Sequence, residues 1–194
     1  MPRAGLASSS VTEAGAALAE EVGFSRLSMG LLAERLGIKP PSLYKHVDGM
    51  ADLAHRIGVL AMTELADAIH DAIQGRAGRD ALDSGARAMR IWVREHPGRY
   101  ASGNAAEITG PDDPLIAAAN RVMDSWGAML HGYRIEPSQQ IHALRMLRSQ
   151  LHGFVTLETA SGSQVLTDID ESFDWIVGFI DRGLQVPTPE MRSP

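Results

Sequence analysis

The chain has no cysteine among its 194 residues. That excludes disulfides, thiolate nucleophiles and Cys-ligated zinc, and it agrees with a reducing compartment. Long apolar runs are also missing: nothing approaches the roughly 18 uncharged apolar residues that a bilayer span requires. Residues Met1 to Ser10 carry neither a basic lead nor a continuous apolar segment, so no secretory signal is expected and a cytoplasmic placement is. Positive charge is scarce, with a net charge of −6, which on its face opposes a nucleic-acid partner. The average hides an asymmetry. Residues 1 to 47 hold Arg3, Arg26, Arg35, Lys39 and Lys45 against Glu13, Glu20, Glu21 and Glu34, leaving +1 there and −7 in the remainder. Both lysines of the protein lie in that first quarter.

Motifs for catalysis are absent as well. No Glu-x-x-His pair recurs on two helices, and there is neither a phosphate loop ending in Gly-Lys-Ser/Thr nor a Gly-x-Ser-x-Gly elbow. The histidines, His46, His55, His70, His96, His131, His142 and His152, are scattered singly. No catalytic residue, metal ligand or cofactor is assigned. A helical small-molecule enzyme or metal-carboxylate bundle without DNA binding stands as the alternative reading, and a helical protein-binding adaptor as a third.

What the sequence does contain is helical periodicity. Ser10 and Glu13 form a capping-box pattern, and Val11, Ala14, Leu18 and Val22 follow at helical spacing until Gly23. Ser28 caps a second segment with Met29, Leu32, Ala33 and Leu36 on one face, closed by Gly37. Pro40 and Pro41 suit the opening of a third, which buries Leu43 and Val47. So tight a Gly-containing joint predicts a helix-turn-helix. From Asp48 a long pattern through Leu53, Ile57, Ala61, Leu65, Ile69 and Ile73 ends near Gly75, long enough to link two domains. A fifth helix is expected from Asp80 to His96, with a short helical turn through Tyr100 and a loop over 103 to 112. Asp113 and Pro114 start the next, with Leu115, Ala119, Val122, Trp126, Leu130 and Tyr133 as its stripe; Pro137 opens another, reaching Ala160. After a break at Ser161-Gly162-Ser163 the last helix carries Phe173, Ile176, Ile180 and Leu184, and the tail from Pro187 is expected to fray. With no strand pairs and no repeat, the fold class is all-α with about nine helices. The division expected is 1–47 for a three-helix DNA-binding domain and 48–194, starting with the linker helix, for a ligand-binding and dimerisation domain.

In a helix-turn-helix the second helix enters the major groove, so its exposed face must offer hydrogen-bonding groups. Ser42, Tyr44, Lys45 and His46 lie off the face used by Leu43 and Val47, with Pro40 and Pro41 at the tip. The stretch LLAERLGIKPPSLYKHVDGMADL resembles the second and third helices of the TetR/AcrR family, and Pro-Ser-Leu-Tyr-Lys-His-Val is similar to its tetracycline-repressor branch. By that resemblance Pro40, Pro41, Ser42, Tyr44, Lys45 and His46 match operator-contacting positions, and Ser28 and Met29 match the start of helix two; the preceding Lys39 is a further candidate for DNA contact. The chain departs from the branch at Gly30, where an arginine often reads a base, and at Met50, where a lysine often meets a phosphate.

The segment around His152-Gly153 resembles a subgroup of the family marked by a His-Gly step. Its helix has two faces: Leu144, Leu147, Leu151 and Phe154 on one, and the small residues Ser149, Gly153, Thr156 and Ala160 on the other. In the last helix Trp175 and Phe179 form an aromatic row beside the apolar one. A homodimer built as a four-helix bundle from these helices covers both surfaces. His152 reads as a packed histidine beside a close backbone approach at Gly153. The resemblance further implies a small-molecule cavity inside the helical domain, with Trp92, Tyr100, Met123, Trp126, Met146, Gln150 and Phe154 as its candidate lining. Together these imply a ligand-responsive homodimeric regulator, a repressor more than an activator. Its partners are a palindromic double-stranded operator and a small-molecule effector. Effector binding would displace the linker helix Asp48 to Gln74 and move the two DNA heads out of register.

Overall fold

Leu53, Ile57, Ala61, Leu65, Ile69 and Ile73 all come out buried along one face of a single helix of 25 residues. A strict fourfold spacing of aliphatic side chains has only one way to leave water, which is to turn that stripe toward a core. The computed structural model describes residues 7–161 and 168–185. Among them are nine α-helices and no strand: α1 (Ser8–Val22), α2 (Met29–Arg35), α3 (Pro40–Leu43), α4 (Gly49–Ile73), α5 (Gly78–Glu95), α6 (Pro97–Ala105), α7 (Pro114–Met129), α8 (Gln140–Ser161) and α9 (Ile169–Gln185). Short 3-10 turns occupy Phe24–Arg26 and Pro137–Gln139. Arg3, the Gly162 and Ser163 of the expected break, and the tail from Pro187 lie outside the described residues.

The chain divides into two compact units, one of Met1–Leu65 with Glu95–Arg121, the other of Ala66–Arg94 with Val122–Pro194. In the first, Val11, Leu18, Leu32, Leu43, Val47, Leu53 and Ile57 share one apolar core. A Cβ on Gly15 would stand 3.0 Å from Leu53 Cδ1, so the glycine sets how closely α1 approaches α4. In the second, Leu82, Ala86, Met89 and Val93 of α5 are buried, as are Leu147, Leu151 and Val155 of α8 and Phe173, Val177 and Ile180 of α9. A buried cation ties three of these helices together. Arg90 on α5 donates through Nε and Nη2 to both oxygens of Glu158 on α8, at 2.9 and 2.7 Å, and its Nη2 lies 2.6 Å from Asp170 on α9. Its guanidinium sits 4.6 Å from the centre of the Phe173 ring. Such a charge tolerates burial only because both faces and edges are compensated.

Three element boundaries differ from the expectation. α1 starts at Ser8 with Ala7 at its N-cap and no side-chain cap, so the Ser10–Glu13 box does not form. Successive serines at 8, 9 and 10 offer equivalent starts, and the helix takes the longer one, with Val11 N–H donating to Ala7 C=O at 3.2 Å. α6 runs to Ala105, well past Tyr100 and into the expected loop. The carboxylate of Glu20 on α1 accepts from the free N–H groups of Gly98 and Arg99 at 2.7 and 3.0 Å, and the buried Ser102 hydroxyl donates to Ala54 C=O at 2.9 Å. This remote cap is invisible to local pattern. α7 ends at Met129, leaving Leu130 and Tyr133 in the turn around Gly132, whose φ of +97° suits glycine alone.

Candidate nucleic-acid interface

The joint between α2 and α3 is built by backbone chemistry. Gly37 adopts φ +64°, its N–H donates to Glu34 C=O, and the N–H of Ile38 donates to Ala33 C=O, both at 3.0 Å. This is the Schellman arrangement that satisfies the last carbonyls of a helix, and Ile38 packs on the apolar core beside it. At the other end of α2, Ser28 Oγ accepts from Leu31 N–H at 3.3 Å, so Ser28 is its N-cap. Lys39 is extended at ψ 142°, as a residue before proline must be, and Pro40 takes the first helical position.

The α-helical part of the third element is short, four residues, and Tyr44 to His46 continue it as a turn. His46 N–H donates to Leu43 C=O at 2.8 Å and Val47 N–H to the same oxygen at 3.1 Å. The reason lies on α4. Arg56 Nη1 donates to the His46 carbonyl at 2.9 Å, while its Nε and Nη2 hold Asp52 at 2.8 and 2.7 Å. Asp52 in turn accepts from Asp48 N–H at 2.7 Å, capping α4. The recognition element is therefore held at both flanks, by Leu43 and Val47 in the core and by Arg56 at its carbonyl end.

What this leaves outward is the set expected to read DNA. Lys39, Pro40, Pro41, Tyr44 and Lys45 are exposed, Tyr44 by 58%, and Ser42 and His46 are half-buried at the edges. Neither lysine has an ion-pair partner among the described residues. Arg35 is engaged by Glu21 at 2.6 Å and Arg26 by the Val22 carbonyl, so the two ammonium groups are the uncommitted cations of this element and its flanks. Ser28 and Met29 are half-buried at the start of α2. Arg56 and Asp52, which position the element, are not among the residues singled out from sequence; their i, i+4 spacing on a helix was the available signal.

The candidate ligand residues are more dispersed. Trp92 and Trp126 are buried, Met123, Met146 and Phe154 half-buried, Gln150 exposed, all in the second unit, whereas Tyr100 is buried in the first. Phe154 packs on Phe173 with ring centres 5.2 Å apart, under the Arg90 guanidinium. The Trp126 indole N–H is buried with no acceptor among the described residues. Of the candidate dimer residues, Ser149, Thr156, Ala160, Trp175 and Phe179 are exposed and Gly153 half-buried. Trp175 and Phe179 stack on each other at 5.4 Å, and remain 64% and 58% exposed. Within one subunit a Cβ on Gly153 would meet nothing within 4 Å, so no close backbone approach at it forms inside the subunit. His152 is half-buried, and burial followed by the nearby Arg148 charge holds its imidazole below the usual histidine range.

Comparison with known proteins places this geometry. The family described as bacterial regulatory proteins, tetR family, matches residues 11–59, and the tetracyclin repressor-like C-terminal domain matches residues 82–180. YobS of Bacillus subtilis, an uncharacterized HTH-type transcriptional regulator, is 30% identical over 187 residues, covering 95% of this chain and 96% of its own. Among solved structures, a protein of unknown function from Rhodococcus sp. RHA1 superposes with a TM-score of 0.80 at 19% identity, over 95% of this chain and 98% of that one. BioQ, solved with its natural double-stranded DNA operator, superposes at 0.65 and 18% identity, over 93% and 98%. A helix-turn-helix with its polar face outward, joined to a matched helical C-terminal region, makes this chain a member of the TetR family of DNA-binding transcriptional regulators.

Proposed function

We propose that the protein acts as a homodimeric repressor that grips a palindromic operator and lets go when a small molecule enters its C-terminal region. The observation that carries the DNA half is the recognition element itself. Leu43 and Val47 are buried at 0% and 2% exposure while Tyr44 and Lys45 between them face solvent. Lys39 and Lys45 supply phosphate contacts; Ser42, Tyr44 and His46 supply groups for base edges or phosphates; Pro40 and Pro41 set the tip against the groove. Ser28 and Met29 bring the start of α2 to the backbone. Residues 1–47 form the DNA-reading division and 48–194 the division for ligand and partner. BioQ, of the same fold, has been solved on its operator, which supports the same partner here.

The stacked Trp175 and Phe179, with Ser149, Gly153, Thr156 and Ala160 on α8, form the face that a second copy covers. Two exposed aromatics of this size on a stable monomer leave apolar surface in water that a four-helix bundle removes. The effector is read by buried aromatics and adaptable methionines of the second unit, Trp92, Met123, Trp126 and Met146, with Gln150 and Phe154 as further contacts. The unpaired Trp126 N–H supports a ligand acceptor there. Displacement of the linker helix, Asp48 to Gln74, changes the spacing of two heads that must sit roughly 34 to 36 Å apart. Binding rather than chemistry is the activity. No described helix is long and apolar enough to cross a membrane, which agrees with a cytoplasmic site of action. Gel-shift titration against palindromic fragments flanking the coding sequence tests the DNA half. Saturable binding that weakens with salt is expected; no binding at low salt defeats it. Compounds that raise the melting temperature and release the same fragment identify the effector.

A further inference from the structure

The joint between α7 and α8 holds a cavity of about 380 Å³ that none of the assignments above uses. All of its walls belong to the second unit. Leu130, Ile135 and Leu144 supply its apolar lining, and the size falls within the range of small-molecule sites, roughly 300 to 1,000 Å³.

Its side-chain polar groups come from Tyr133, His131 and Gln140. The Tyr133 hydroxyl donates to the buried carboxylate of Asp181 on α9 at 2.7 Å, and the same oxygen accepts from Gln185 at 3.0 Å. With the hydroxyl so engaged, Tyr133 presents its ring to the cavity as a fixed wall. His131 and Gln140 line the cavity, are exposed, and make no side-chain hydrogen bond or ion pair among the described residues. The lining includes no Asp, Glu, Lys or Arg. Such a wall offers no fixed charge to pair with a phosphate, carboxylate or ammonium group, and it suits a neutral ring with one hydrogen-bonding group.

The cavity is also held open. Gly127, in the last turn of α7, has no positive φ to require it, and a Cβ there would meet nothing within 4 Å. The floor is rigid: Gly78 N–H donates to His131 C=O at 2.8 Å, and Gly132 brings its backbone so close that a Cβ would stand 2.8 Å from Gly78 N.

We infer that this cavity binds a compact uncharged aromatic molecule carrying a single hydroxyl, its ring against Leu130, Ile135, Leu144 and Tyr133 and its hydroxyl on Gln140 and His131. The inference rests on the reading of the second unit as ligand-responsive, and it places one ligand apart from Trp92 and Trp126. The probe is 2-naphthol, titrated into the full-length protein with melting temperature and intrinsic fluorescence as readouts. Wild-type protein binds it saturably and melts higher. Gly127→Leu and Leu144→Trp, which fill the space from either helix, abolish the shift, and Gln140→Leu weakens binding roughly tenfold, the value of about one hydrogen bond at 1.4 kcal/mol per decade. All three variants keep wild-type helical circular dichroism and wild-type affinity for an operator fragment. Wild-type protein that fails to bind 2-naphthol up to its solubility limit overturns the inference. So do folded Gly127→Leu and Leu144→Trp variants that both bind it unchanged. Loss of operator binding by the wild type would instead overturn the repressor reading and leave the cavity result standing.

Discussion

Asp113 shows how much one side chain holds in place. Its carboxylate is buried, with Oδ2 accepting from the Thr109 N–H and hydroxyl at 2.7 and 2.8 Å and Oδ1 from Leu115 N–H at 2.8 Å. His55 Nε2 lies 2.9 Å away. The Thr109 N–H foremost, then the Leu115 N–H, the Thr109 hydroxyl and His55, hold it well below the usual carboxylate range against the opposing effect of burial. A carboxyl depressed in the folded state contributes stability above its unfolded pKa and loses it as pH falls through the folded one. Urea midpoints should therefore fall progressively below about pH 4, and Asp113→Asn should flatten that fall while lowering the midpoint at neutral pH. An unchanged acid profile in the variant contradicts the assignment. His152 works in the same direction at higher pH: its folded pKa is depressed below 6.5, so the unfolded chain takes up the proton first and stability declines as pH drops under that value. Gly98 makes a steric prediction. A Cβ there would lie 2.3 Å from the Ala19 carbonyl oxygen, which is backbone and cannot swing away. Gly98→Ala should destabilise by about 2 kcal/mol or more, read by chemical denaturation, despite alanine's better helix propensity.

At the scale of elements, the helix-turn-helix was legible because its signals are local. Ser28 before α2, Gly37 after it and Pro40 at the start of α3 each do what their chemistry dictates. The long periodic stripe of α4 was equally readable. Less legible was whatever depends on distant partners. Glu20 caps α6 from 78 residues away, and Arg56 clamps the His46 carbonyl from α4, neither of which a local window contains. The outward face of α3 follows from the burial of Leu43 and Val47; the ligand residues, by contrast, were chosen for size and polarizability, and such side chains also build cores, as Phe154 against Phe173 does. Arg56 carries the prediction that belongs here. Arg56→Ala removes the hydrogen bond to His46 while leaving every outward side chain in place, so operator affinity should fall by roughly tenfold with helical content unchanged. Arg56→Lys, which keeps one donor but not the fork, should fall between. Wild-type affinity in Arg56→Ala would mean that the element is held by its core residues alone.

At the scale of the whole molecule, the question is whether two copies act together. Trp175 and Phe179 lie one helical turn apart and stack outward. Replacing Trp175 with Asp puts a charge on the proposed contact surface without disturbing the subunit core, because that side chain is exposed. Sedimentation should show a monomer. Operator affinity should drop far more than for any single DNA-facing variant, since a lone head gains from only one half-site. A Trp175→Asp dimer of normal mass would move the interface elsewhere on the subunit.

The decisive measurement is fluorescence anisotropy of a labelled palindromic fragment over a salt series, for wild type, Lys45→Ala and Tyr44→Ala. If the outward face of residues 39 to 46 lies in a DNA groove, Lys45→Ala lowers the slope of log affinity against log salt by about one, and Tyr44→Ala weakens binding with the slope retained. Wild-type curves from both variants, with folding intact, would contradict the account.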